Sequence, residues 1–163
     1  MKIKIINKMV SLGGSSKVLD EQDKPLLKVK GKFFTMTRKK WVRDLDGKKL
    51  YMVRQKLISP IHHINYIFDA NHNRLSEVSS GFLTFSDKAS ITSSFGPINI
   101  EKGGSWGDYD ILVNGAKVGS VTRQAFTMTN SFLLDIDESK YDWRYFVALV
   151  IALDNIRDKK SSH

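Results

Sequence analysis

The chain contains no cysteine. Disulfides, thiolate-held metal sites and thiol catalysis are therefore excluded, and a reducing compartment suits it. Only three prolines occur among 163 residues, and no proline-rich linker or low-complexity tract divides the chain. Histidine numbers four. His62 and His63 are adjacent and point to opposite faces if they lie in a strand, while His72 stands alone, so no metal site is expected. Long apolar runs are missing as well. The longest, Tyr145-Phe-Val-Ala-Leu-Val-Ile-Ala-Leu153, has less than half of the roughly twenty residues that cross a bilayer. Met1-Lys-Ile-Lys-Ile-Ile6 carries the charge of a signal peptide, but Asn7 and Lys8 interrupt it. It reads as an edge strand with alternating lysines, and the expected location is the cytoplasm. Gly103-Gly-Ser-Trp-Gly107 follows no phosphate-loop template, and no nucleophile elbow accompanies the serines. No catalytic residue and no cofactor are expected: the chain does not read as an enzyme.

Acids are missing from one stretch in particular. From Lys24 to Lys56 there are twelve basic residues and two acids, Asp44 and Asp46, for a sum of +10; the other 14 basic and 15 acidic residues sum to −1. A field of this kind attracts anionic surfaces or polymers. The residues expected to provide it are Lys28, Lys30, Lys32, Arg38, Lys39, Lys40, Arg43, Lys48 and Lys49, with Trp41 among them. Arg38-Lys-Lys-Trp-Val-Arg43 sets a bulky aromatic beside four charges, although core packing competes with an interfacial role for Trp41. The block can equally be a solubilising face whose lysines blunt strand edges.

What is present in quantity is turn-punctuated alternation. Val18-Leu-Asp20-Glu-Gln-Asp23-Lys-Pro-Leu26-Leu-Lys-Val29 is echoed by Val42 to Val53 around Asp44 and by Ile67 to Val78 around Asp69. In each, an Asp closes a short strand, an Asx turn follows, and apolar residues resume at fixed offsets. A looser copy surrounds Asn114-Gly115, a pair suited to positive φ. About a dozen strands result. Leu27 and Val29 alternate with Lys28 and Lys30, and Ile3 and Ile5 with Lys2 and Lys4, so one face is buried and the other wet.

The closing apolar run reads as a helix with no polar face, and such a helix must be enclosed. Ser139-Lys-Tyr-Asp142 fits a capping box at its start, and Asp135, Asp137 and Glu138 suit the positive end of its dipole better than a calcium site. Asp154, Asn155, Arg157 and Asp158 mark a return to water, and residues 159–163 form a frayed tail behind a single domain, 1–158. A barrel wider than eight strands has room for a helix about 10–12 Å across. The expected fold is therefore mainly β: about twelve antiparallel strands closed around a hydrophobic C-terminal helix.

These residues resemble a known family. Ala148-Leu-Val-Ile-Ala-Leu-Asp154-Asn-Ile156, the repeated Asp-turn hairpins and Gln55-Lys-Leu-Ile-Ser59 are similar to the LURP-one-related proteins, which stand with the phospholipid scramblases and the tubby C-terminal domain. The resemblance covers nearly the whole chain and implies a twelve-stranded barrel around a C-terminal helix. It does not carry over the scramblases' calcium-binding acids, since Thr127 to Leu134 has none. Tubby phosphoinositide-binding positions have no match here either. The expectation is a non-enzymatic barrel, cytoplasmic and peripheral at a membrane, that meets an anionic phospholipid surface through its basic block. An acidic protein partner is the alternative. Nucleic acid is disfavoured because alternation buries several of the block's aromatics, and a small-molecule carrier because the helix fills the barrel.

Overall fold

A computed structural model of the full chain describes residues 1–8, 14–31, 38–56, 64–79, 88–104, 108–126 and 129–160. Twelve strands follow one another as β1 (Lys2–Lys8), β2 (Ser16–Leu19), β3 (Pro25–Gly31), β4 (Lys39–Arg43), β5 (Lys49–Gln55) and β6 (Ile64–Asp69), then β7 (Arg74–Ser79), β8 (Lys88–Ser93), β9 (Ile98–Lys102), β10 (Asp108–Val113), β11 (Ala116–Phe126) and β12 (Thr129–Ile136). Each pairs antiparallel with its neighbours in sequence, and β1 pairs with β12 from Lys2 opposite Asp135 to Lys8 opposite Thr129, closing the barrel. β1 is therefore not the edge strand its lysines suggest. It pairs on both sides, and Lys2 and Lys4 serve the wet face.

The Asp-turn repeat is one hairpin built three times. In each copy the Asp amide donates to the carbonyl four residues on (Asp20 to Lys24, 2.9 Å; Asp44 to Lys48, 3.0 Å; Asp69 to Asn73, 3.0 Å). The Asp carboxylate accepts the amide of that same later residue at 2.8–2.9 Å. The last of the three residues between them takes positive φ, 61° at Asp23, 92° at Gly47 and 66° at His72. This is the three-residue hairpin loop that forces a bulge into the ladder, and the register shifts just before each Asp. The extra residue is a leucine each time, and Leu26, Leu50 and Leu75 pack against the core. Asn114 and Gly115, with φ of 52° and 80°, make the two-residue turn of the looser copy.

Inside runs α1 (Trp143–Lys160), 18 residues and about 27 Å long at 1.5 Å per residue. It packs against β5, β6, β7 and β12. Tyr145 to Ala152 are each no more than 2% exposed, which for eight consecutive helical residues requires protein on every side. Inward residues of all the strands join them in one core. Among the described residues no helix is long and apolar enough to cross a membrane.

Three expectations about the helix ends are corrected. Helix α1 starts at Trp143, so Asp142 caps it directly: its carboxylate accepts the Arg144 amide at 3.1 Å, while Ser139 instead donates to Asp137 at 2.6 Å. Nor do Asp135, Asp137 and Glu138 reach the first turn, which carries no acid; Asp135 lies in β12, 3.7 Å from the N-terminal ammonium. Asp154 and Asn155 do not return to water, being 3% and 4% exposed in a helix that runs on to Lys160. Asn7 donates to Asp154 and accepts from Ser16. That end of the barrel therefore has a polar lining, with Gln55 opposite Asn65 on β5 and β6.

Candidate anion-binding surface

Strand pairing turns the basic block into rows on the outer wall. Lys28 and Lys30 are exposed while Leu27 and Val29 are buried. Lys17 lies opposite Lys28, Lys28 opposite Arg43, and Arg43 opposite Lys49. The last pairing exists because the hairpin bulge shifts the register at Arg43. Four cations thus stand side by side across four strands, spanning about 14 Å at 4.7–4.9 Å per strand. Like charges directly opposite each other destabilise a sheet. Among the described residues none of the four forms an ion pair; two are steadied by the β4–β5 turn. Lys28 Nζ donates to the Leu45 carbonyl at 2.6 Å, and Arg43 Nη1 donates to the Gly47 carbonyl at 3.1 Å. An ammonium has three donors, so Lys28 keeps capacity for a second acceptor.

A parallel row runs Lys30, Trp41, Met52, Phe68, Arg74. Here the ends are cationic and the middle apolar. Trp41 faces outward yet is only 6% exposed: Lys49 Nζ lies 4.7 Å above its ring and the His72 ring meets it edge-on at 5.6 Å. It belongs neither to the barrel core nor to an exposed probe, but to a small outer cluster roofed by a cation. One row further on, Lys39, Arg54, Tyr66, Glu77 and Thr92 align. Lys56 Nζ and the Arg74 guanidinium lie 5.9 and 5.0 Å from the Tyr66 ring.

Of the ten residues named from sequence, the outer wall gathers Lys28, Lys30, Lys39, Arg43 and Lys49 around Trp41. Lys48 is exposed in the turn at one end, and Arg38 is exposed just before β4 at the other. Lys40 departs from the group: it lies opposite the inward Val53 and against Gly14, where an added Cβ would sit 3.0 Å from its Cε. Lys32 lies outside the described residues, as do Phe33, Phe34, His62 and His63. The sequence window did not reach Lys17, Tyr66, Phe68, His72 and Arg74, and Met52, within it, was not named as a member of the wall. Only the register of the ladder brings them there. Among the described residues no three His, Cys, Asp or Glu side chains are grouped to hold a metal.

The other ionisable cluster serves the helix start. Tyr51 donates to Asp142 at 2.6 Å, and Arg144 Nε donates to the same carboxylate at 2.7 Å. Burial works to raise the Asp142 carboxyl, but the bonds from Arg144 and Tyr51 together outweigh it and leave it below its ordinary value. Burial, then the bond to Asp142, raises the Tyr51 hydroxyl well above its ordinary range. Burial likewise pushes Tyr145 up to about 12, although its bond to Ser76 opposes that. Both phenols stay protonated near neutral pH, and their bonds tie the start of the helix to β5 and β7.

Comparison with known proteins gives three findings. A model of the family described as LURP-one-related matches residues 1–154. No curated protein matches the sequence. An X-ray structure of a protein from Arabidopsis thaliana is similar at a TM-score of 0.49 and 14% identity, over 96% of this chain and 91% of that one.

Proposed function

The chain belongs to the LURP-one-related family, and from that membership we propose that it is a non-enzymatic barrel domain that docks on anionic phospholipid surfaces. The row Lys17, Lys28, Arg43, Lys49 carries this reading. Four aligned cations without ion-pair partners among the described residues oppose folding, and an anionic surface removes that cost. Each Lys or Arg near an anionic leaflet contributes about 1 kcal/mol. With Lys30, Lys39 and Arg54 beside the row, binding is reversible and salt-sensitive. Trp41 is sealed under Lys49, so docking is electrostatic and superficial, without an inserted aromatic.

Co-sedimentation with phosphatidylglycerol vesicles against phosphatidylcholine vesicles, across a salt series, tests this. Binding to the anionic vesicles alone, falling as salt rises and lost in Lys28→Glu/Lys49→Glu, is the expected result. Failure to bind phosphatidylglycerol at low salt removes the proposal. Retention of an acidic protein on the same row would then favour the scaffold reading.

A further inference from the structure

Among the described residues the most exposed large apolar side chain is Leu45, at 45%. It follows Asp44 in the β4–β5 turn, which joins two members of the cationic row, Arg43 and Lys49. A lone exposed leucine is ordinary on a protein surface; its position here is what sets it apart. Lys28 Nζ donates to the Leu45 carbonyl at 2.6 Å, and Arg43 Nη1 to the Gly47 carbonyl at 3.1 Å. Two cations of the row thus hold the turn at the end of the outer wall.

The hairpin repeat shows that the turn itself needs no leucine. The residue after the first Asp is Glu21 in one copy, Leu45 in the next and Ala70 in the third, and all three are exposed. The same backbone and carboxylate bonds close each copy. In the first copy the turn's acids serve ion pairs, Glu21 with Lys2 at 3.6 Å and Asp23 with Lys4 at 2.9 Å. Leu45 is not part of the core. Neither turn closure nor core packing therefore accounts for an apolar side chain at this one turn, the turn that adjoins the cationic row.

We propose that Leu45 is the apolar anchor of the docking surface: when the cationic row meets an anionic bilayer, this side chain enters the headgroup layer beside Lys28. The inference rests on the docking reading and adds a lipid-contacting residue to it. The contact is one side chain deep, so docking stays shallow. Its strength comes from apolar area removed from water, which salt does not screen, whereas the attraction of the row is screened. Exposed Asp46 beside it works against an anionic leaflet, and exposed Lys48 in the same turn offsets that charge.

Because the chain has no cysteine, a single environment-sensitive dye can be attached at a chosen position. The test places it on Leu45→Cys and, as matching positions of the other turns, on Glu21→Cys and Ala70→Cys. Phosphatidylglycerol vesicles with and without nitroxide-labelled lipid are then added at low salt. The expected result is that emission from position 45 shifts to the blue and is quenched by the nitroxide lipid, while positions 21 and 70 respond little. In unlabelled protein, Leu45→Ala should weaken co-sedimentation about tenfold, and the third copy shows that the turn accepts alanine. That ratio should hold across a salt series, whereas the loss in Lys28→Glu shrinks as salt rises. Leu45→Ile should bind as the unaltered chain does. The proposal is overturned, with docking left standing, if the protein sediments with the vesicles while position 45 responds no more than 21 and 70. Equal binding of Leu45→Ala overturns it in the same way. Failure to sediment at low salt removes docking and the anchor together.

Discussion

At the scale of single residues, two polar groups, one half-buried and one fully buried, have opposite consequences for stability. Asp142 caps α1 and accepts from both Tyr51 and Arg144. Asp142→Ala should cost about 1–2 kcal/mol, the usual loss for a cap, read by urea unfolding at neutral pH. Its carboxyl is depressed in the folded state, so its contribution is fully present above the unfolded value, about 3.9. It is lost as pH falls through the lower folded value. Asp142→Asn should flatten that acid limb of the stability profile, and an unchanged limb would show that other carboxylates carry it. Asn65 is the reverse case. It is fully buried inside the barrel, and neither amide atom is hydrogen-bonded among the described residues, a condition that costs about 1–3 kcal/mol. Asn65→Leu should therefore raise stability by about 1 kcal/mol, and a loss would mean the amide has a role in the polar lining. The alternation that places Asn65 inward was readable from sequence; its unmet hydrogen bonds were not, because they depend on what α1 presents at that depth.

At the scale of elements, hairpin and helix show what local pattern can and cannot reveal. The three Asp turns were legible because an Asp and a positive-φ residue three positions later satisfy the turn on their own. A Cβ at Gly47 would touch nothing within 4 Å. Gly47→Ala should therefore cost only its backbone strain at φ 92°, about 1–2 kcal/mol, and thermal unfolding would measure it. The helix was legible as enclosed because nine apolar residues leave no wet face. Its ends were misread since charged residues normally signal solvent, whereas here Asp154 meets Asn7 inside the barrel. Leu149 has no exposure, and Leu149→Ala should lose about 2–5 kcal/mol by leaving a cavity, again by urea unfolding. A loss under 1 kcal/mol would indicate that the barrel collapses around the gap.

At the scale of the whole molecule, the charge map sets a cationic wall across β2 to β5. Composition announced that wall, since its 33-residue window carries +10. The row within it was hidden, because Lys17 falls outside the window and Arg43 meets Lys49 only through a bulge. Added salt should act with opposite signs on this surface: the fold gains stability as the cations are screened, while vesicle binding falls. A salt series by thermal unfolding and co-sedimentation checks both, and parallel responses would detach the row from docking. Closure carries one last implication. The Met1 amino group bonds the Ile136 carbonyl across 135 positions, and the enclosed helix comes later still. During synthesis on a ribosome, the first strand must wait for nearly the entire polypeptide before meeting its mate. The sheath then has to seal around a rod that emerges last, so a nascent chain stalled before residue 143 holds a greasy trough open to chaperones.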